Sequence, residues 1–345
     1  MSEKNINILI TSAGRRSYLV EYFKRALGGR GKVFASNSTD ISPAFLAADE
    51  HVVTPLIYAQ EYIPFLLGYC KEHCIDALIS VLDIDMPILA RNREKFESVG
   101  TRLIIPDIKV AQICNDKWYT FQFLKENGFH VPKTYLSVAD VKLALGAHEL
   151  QYPVVIKPRW GTGSAAIYYA ENEEELTVLY RKAQNDIFQS FLKYESNEDK
   201  QNCILIQEQI AGQEYGLDIV NDLKGRYQTT IQKMKYVMRS GETDCAVTVS
   251  NDILSELGKR IGTVMKHVAN MDTDIIIREN IPYVLEMNAR FGGGYPFSHI
   301  AGTDLPGAIV EWLRGGTDVA EYLQYKVGIV GQKDLCIRNL KGAGN

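Results

Sequence analysis

No stretch of the sequence approaches the roughly 20 consecutive apolar residues that a membrane-spanning helix needs. An excess of charge of one sign is missing too. Lys and Arg number 38 against 42 Asp and Glu, a net charge of −4, so there is no basic footprint for nucleic acid or an anionic membrane. Cysteine is sparse. The six (Cys70, Cys74, Cys114, Cys203, Cys245, Cys336) are scattered, and residues 6–10 form only a short apolar run behind polar ones, unlike a secretory leader. These absences point to a cytoplasmic protein with reduced thiols. Cys70 and Cys74 flank His73, but no second pair completes a four-ligand zinc site, and the segment reads as an amphipathic helix running into a strand. Glycine is short where a dinucleotide fold would want it. The turn Thr11-Ser12-Ala13-Gly14-Arg15-Arg16-Ser17 has one glycine where the fingerprint has three, which disfavours a nicotinamide-dependent dehydrogenase. GxxxxGK[ST] is also absent.

What is present is an ordinary globular composition, 46% hydrophobic and 23% charged, in a chain of 345 residues, long enough for two or three domains. Apolar strand patterns at 4–12, 32–36, 77–81 and 102–105 alternate with helical ones at 17–27, 62–73 and 87–97. That rhythm predicts a parallel, doubly wound sheet over residues 1–110. The loop Asp83-Ile84-Asp85 follows a strand, so it either lends polar groups to a cleft or caps the next helix. Residues 110–127 read as helix, broken at Asn115-Asp116.

Next comes a strand that delivers Lys157, ends at Pro158, and runs into Gly161-Thr162-Gly163-Ser164 before a strand resumes over 165–169. Glycines there let backbone N–H groups lie against phosphates, with Lys157 beside them. An ordinary hairpin with a surface lysine is the plain alternative. Residues 171–200 are charged and helix-forming, and strands at 203–209, 215–220 and 227–234 make an antiparallel region. A helix with an apolar stripe covers 255–269. After it, residues 274–290 read as a hairpin turning at Glu279-Asn280. Glu286 and Asn288 are two apart and share a strand face, Arg290 follows on that face, and Asp274 lies across the turn. A carboxylate inside an apolar strand needs neutralising, and converging oxygens suit Mg²⁺. The Gly292-Gly293-Gly294 loop and a helix at 305–313 follow, then a polar tail with a short helix and a strand.

The order of these pieces carries more than any one of them. Asp116-Lys117, Ile156-Lys157-Pro158 with its glycine loop, Gln207-Glu208-x-Ile210-x-Gly212-x-Glu214, and Asp274…Glu286-x-Asn288-x-Arg290 occur in succession. Together they resemble the ATP-grasp superfamily of carboxylate–amine ligases, in particular single-grasp relatives of the carbamoyl-phosphate synthase large chain. The resemblance covers about residues 5–315. It implies an α/β architecture: a Rossmann-like parallel sheet (1–110), then an ATP-grasp fold of antiparallel sheets (111–320) with a mobile lid at about 117–205, and a tail at 321–345. It implies ATP with Mg²⁺ or Mn²⁺. Lys117 and Lys157 would contact the nucleotide phosphates, with Gly161, Thr162, Gly163 and Ser164 closing over them. Glu208, Gln209 and Ile210 would meet the adenine, and Glu214 the ribose. Asp274, Glu286 and Asn288 would hold the metal, while Arg290 and Lys157 steady the transferred phosphoryl group. Two departures stand out: Asp274 where relatives often carry Glu or Gln, and Asn288-Ala289-Arg290 in place of Asn-Pro-Arg.

The implied activity is formation of an amide-type bond through an acyl-phosphate on a small amino-acid-like substrate. Its partners would be a small carboxylate and an amine, with neither nucleic acid nor membrane, in a homodimer. Lys235 and Arg239, four apart in a strand, are candidates for holding the substrate carboxylate, Glu242 for an ammonium, and Gly293 and Gly294 for the pocket lining; solvated strand charges are the alternative. A small-molecule phosphotransferase and a non-catalytic ATP-binding regulatory subunit remain as competing readings.

Overall fold

The computed structural model describes residues 4–161 and 163–340. Five strands, β1 (Ile8–Thr11), β2 (Val33–Asn37), β3 (Glu50–Val53), β4 (Ala77–Ser80) and β5 (Arg102–Leu103), form a parallel sheet in the order β3-β2-β1-β4-β5. All four residues of β1 are buried, as expected for a strand covered on both faces. Ile8 and Ile10 join the core under the helix Ser17–Leu27, and Leu9 joins the one under Tyr62–Glu72. Strand order reverses between β1 and β4, so their carboxyl ends frame the crevice where open sheets receive ligands.

Two antiparallel sheets follow. The smaller, in the order β6-β9-β7-β8, joins β6 (Thr134–Tyr135), β7 (Val154–Pro158), β8 (Tyr168–Ala170) and β9 (Ile204–Glu208). The helix Glu173–Gln189 buries Leu176, Ala183 and Ile187 among Val154 and Ile156 of that sheet. The larger has the order β14-β13-β10-β11-β12-β15. Its strands are β10 (Gln213–Asn221), β11 (Tyr227–Arg239), β12 (Glu242–Val249), β13 (Ala269–Arg278), β14 (Ile281–Asn288) and β15 (Val330–Gln332). On it lies the helix Asp252–Met265, begun by Asn251, whose side chain accepts from the N–H groups of Ile253 and Leu254. Leu254, Leu257, Ile261 and Met265 pack on Leu217, Ile219 and Met271, each burial contributing roughly 1.5–3 kcal/mol.

The sequence expectations need several corrections. Strand β3 was not anticipated; it sits at the sheet edge and its short segment is alternately half-buried and exposed. The helical stretch 87–97 is two helices, Met86–Arg91 and Arg93–Ser98, interrupted at Asn92. Strand β8 begins at Tyr168 rather than 165, because Ser164 and Ala166 adopt left-handed backbone that a strand cannot use. The helix Lys117–Glu126, assigned to the lid from sequence, buries Leu124 in the core of the large sheet, so the small sheet starts only at β6. The strand expected in the segment after 320 is β15, which pairs with β12 and completes the large sheet. Among the described residues no helix is long and apolar enough to cross a membrane, and all six cysteines are free.

Candidate active site

The β13–β14 hairpin turns through Glu279 and Asn280, both at positive φ (52° and 64°), the conformation required by a two-residue turn that matches strand twist. That turn pairs Ile275 with Val284; a bulge at Leu285 then shifts the register by one residue, so that Asp274 lies opposite Glu286 and Asp272 opposite Asn288. Four oxygen-bearing side chains therefore form two cross-strand pairs. Asp272 was missed in the sequence reading, although it stands two before Asp274 and so on the same face.

Two lysines approach this hairpin. Lys117 opens its helix directly after Asp116, whose carboxylate accepts from the N–H groups of Trp118 and Tyr119. Its ammonium donates to the Gly161 carbonyl at 2.6 Å and stands 3.1 Å from Glu286 Oε1. Lys157, on β7, donates to Gln207 Oε1 at 2.8 Å, and Gln207 is held in turn by Thr134. Burial drives the Lys157 ammonium down to about 8 against the pull of Glu286. Burial alone would raise the Glu286 carboxyl, but Lys117 and Lys157 outweigh it and hold the group below the usual carboxylate range.

The other cations are already committed. Lys235 lies 2.7 Å from both Glu214 Oε1 and Asp274 Oδ1. Desolvation, aided by Asp272 and Glu214, nevertheless pushes the Asp274 carboxyl up to about 6. Arg290 bridges Asp83 Oδ2 at 2.9 Å and Asp272 Oδ2 at 3.0 Å, and these carboxylates raise its pKa despite burial. Lys233, fully buried, pairs with Asp218 and donates to Ser298.

These groups border one cavity of about 680 Å³. Every site residue expected from sequence lines it, with two exceptions. Thr162 lies outside the described residues. Arg239 does not reach the cavity: it ion-pairs with Asp244 at 2.9 Å and is half exposed. Its expected alignment with Lys235 fails because β11 carries register irregularities between 235 and 238, which break the two-residue period. Lys235 itself is occupied by Glu214 and Asp274, so it presents no free charge to a substrate carboxylate. Glu208 lines the cavity while one carboxylate oxygen accepts from the Lys133 N–H and the other from Arg278. Ser164 of the glycine loop packs against the β11–β12 turn, since a Cβ on Gly241 there would sit 2.2 Å from Ser164 Oγ.

Among the described residues no three His, Cys, Asp or Glu side chains gather closely enough to hold a metal by themselves. The donor chemistry still fits Mg²⁺ or Mn²⁺. Glu286, Asn288 and Asp274 offer hard oxygens on one face, and such ions take few protein ligands, completing their shell with water and phosphate oxygens. Asp274, half-buried and with its carboxyl raised by desolvation to about 6, is a carboxylate that a bound cation would stabilise.

Comparison with known proteins agrees with this architecture. Residues 8–104 match the PylC-like N-terminal domain family, and residues 114–294 match the ATP-grasp domain family. The L-amino acid ligase from Bacillus licheniformis is similar in fold, with a TM-score of 0.73 and 17% identity over 95% of this chain and 80% of its own. The biotin carboxylase domain of Hydrogenobacter thermophilus 2-oxoglutarate carboxylase, solved with MgADP and bicarbonate, gives 0.70 and 19% over 92% and 72%. N5-carboxyaminoimidazole synthetase from Staphylococcus aureus, solved with ADP, gives 0.69 and 13% over 91% and 79%. With its ATP-grasp match spanning just over half of the sequence, this chain belongs to the ATP-grasp family of ATP-dependent, ADP-forming ligases, which use ATP and Mg²⁺.

Proposed function

We propose that this protein joins a small amino-acid-like carboxylate to an amine at the expense of ATP. The observation that carries the reading is the convergence of Lys117, Lys157, Asp274, Glu286, Asn288 and Arg290 on a single cavity large enough for more than one small molecule. In the proposed reaction a carboxylate oxygen of the substrate attacks the γ-phosphorus of ATP, and the bond to the departing ADP oxygen breaks. The amine then attacks the acyl carbon; the C–O bond to phosphate breaks, and the amine gives up a proton.

No protein nucleophile is required, because phosphoryl transfer is promoted chiefly by positioning and charge neutralisation. Lys117 and Lys157 supply positive charge to the transferred phosphates, the side chain of Lys157 having, among the described residues, a neutral amide as its hydrogen-bond partner. Glu286, Asn288 and Asp274 would hold the magnesium ion, which neutralises phosphate charge when bound. Arg290, fixed by two carboxylates, presents a rigid guanidinium to the developing charge. Glycine-rich backbone at 161–164 would cover the acyl-phosphate and exclude water. The proposed adenine and ribose contacts are Glu208, Gln209, Ile210 and Glu214. The working division is a parallel-sheet domain at 1–110, a ligase domain at 111–320 and a short C-terminal segment, in a homodimer; β6 to β9 form the lid of this reading.

The test is ADP and phosphate release from MgATP with amino acids and other small carboxylates, offered singly and with amines in pairs. Turnover that needs two substrates, and falls at least about 100-fold in Glu286→Ala, is expected. ADP release with a carboxylate alone would indicate a phosphotransferase. Nucleotide binding without turnover across the whole panel would overturn the ligase reading in favour of a regulatory subunit.

A further inference from the structure

Counting charges around the cavity separates two cations from the rest. Lys117, Lys233, Lys235 and Arg290 each lie within ion-pair distance of a carboxylate. Lys157 does not; its partner is the Gln207 amide. Arg16 does not either. Among the described residues the one hydrogen-bond partner of its guanidinium is the Tyr18 hydroxyl, at 3.0 Å, and the residue lines the cavity. A half-buried guanidinium with only a neutral partner is a ready anion receptor.

Its surroundings point the same way. Arg16 stands at the carboxyl end of β1, beside the reversal of strand order where open α/β sheets bind ligands. Gly14, at φ 50°, turns the chain into the eleven-residue helix Ser17–Leu27, whose first turn has no side-chain cap. Facing Arg16 is Glu242, which is already matched by Lys333 at 2.9 Å and by Arg15 at 3.8 Å. Three cations thus surround one carboxylate, and Gly293 beside Glu242 and Lys333 leaves the space open. This end of the cavity carries excess positive charge that the metal ligands and the phosphate lysines do not explain.

We propose that Arg16 receives an anionic group, carboxylate or phosphate, carried by the non-nucleotide substrate. The inference rests on the ligase reading and deepens it: Lys157 serves the nucleotide, Arg16 the second molecule, and the cavity between them holds the reacting atoms. Lys235 and Arg239, the sequence-based candidates for this task, are both neutralised by carboxylates.

The test measures binding to the full chain with MgADP present, for wild type, Arg16→Gln and Arg16→Lys. Probes are the protein amino acids, acetate, inorganic phosphate and glycerol phosphate, followed by thermal shift and calorimetry. The expected result is a probe whose Kd rises about 10- to 100-fold in Arg16→Gln and largely recovers in Arg16→Lys, with MgADP affinity unaltered. Responders among the carboxylates assign a carboxylate ligand, and responders only among the phosphates assign a phosphate. Equal affinity in Arg16→Gln overturns the proposal, and so does wild type that binds no anionic probe. Loss of MgADP affinity in Arg16→Gln also overturns it, because Arg16 would then belong to the nucleotide seat. Anion binding that depends on Arg16, without ADP release in any substrate pair, would leave Arg16 in place and remove the ligase reading instead.

Discussion

At the scale of single residues, the most informative contact is the one between Asp83 and Arg290, 207 positions apart. It ties the loop after β4 of the parallel sheet to the end of the β13–β14 hairpin. Asp272 takes the other side of the guanidinium, so Arg290 is fixed from two elements and its orientation depends on both domains. Asp83→Asn keeps the shape and removes one of the two charges. Asp272 remains, so the cost should fall short of that of a fully orphaned buried charge, about 1–3 kcal/mol. Urea unfolding should show a lower midpoint with an unchanged slope, together with slower turnover. A variant with the wild-type midpoint would mean that Asp83 merely fills space. Tertiary pairings of this kind are what the sequence conceals. Glu286, Asn288 and Lys157 could be read from strand alternation and motif order, which are local properties. The loop at Asp83 could be read as one that lends polar groups to a cleft, but its pairing with Arg290 and the place of Arg16 could not, because both depend on what faces them from another domain.

Among the elements, the helix Asp252–Met265 shows how closely packing constrains the large sheet. Gly258 sits in its interior, where alanine would favour helix by about 1 kcal/mol. Yet a Cβ there would lie 2.2 Å from Thr230 Oγ1, 2.6 Å from Cγ2 and 2.9 Å from Cβ, all on β11. Overpacking of that kind costs typically 1–3 kcal/mol, so the steric term should win. Gly258→Ala is expected to be less stable than wild type, and Thr230→Ala combined with it should recover most of the loss. A more stable single variant would show that the helix can shift outward freely. The stripe that places this helix on the sheet was visible in the sequence, as was the turn at Glu279-Asn280, since both depend on short-range periodicity or backbone preference. Less could be read where neighbours decide. Strand β3 is a half-exposed edge strand, and the irregular register of β11 rotates Arg239 out of line.

For the molecule as a whole, three sheets meet around one cavity, and burying charge there and elsewhere makes stability depend on pH. Three groups, one fully buried histidine and two half-buried carboxyls, move into the window between pH 4 and 7, with opposite signs. Desolvation raises the carboxyls of Asp274 to about 6 and Glu195 to about 7, so each favours the folded state as pH falls through that range. His267 acts the other way. It is fully buried, its Nε2–H donates to the Ile219 carbonyl at 2.9 Å, and burial lowers it from an ordinary 6.5 to about 4. Between pH 6.5 and 4 the unfolded chain therefore binds a proton that the folded protein refuses. The stability contributed by neutral His267 is complete above 6.5 and is lost progressively on acidification, by at most about 3 kcal/mol near pH 4. His267→Gln removes the titration, while any lost packing adds an offset independent of pH. Unfolding free energies of wild type and variant should therefore run parallel above pH 7 and converge or cross below 6.5, with wild type losing ground. Parallel curves down to pH 4 would show that His267 is protonated in the folded protein, and that this part of the core admits water.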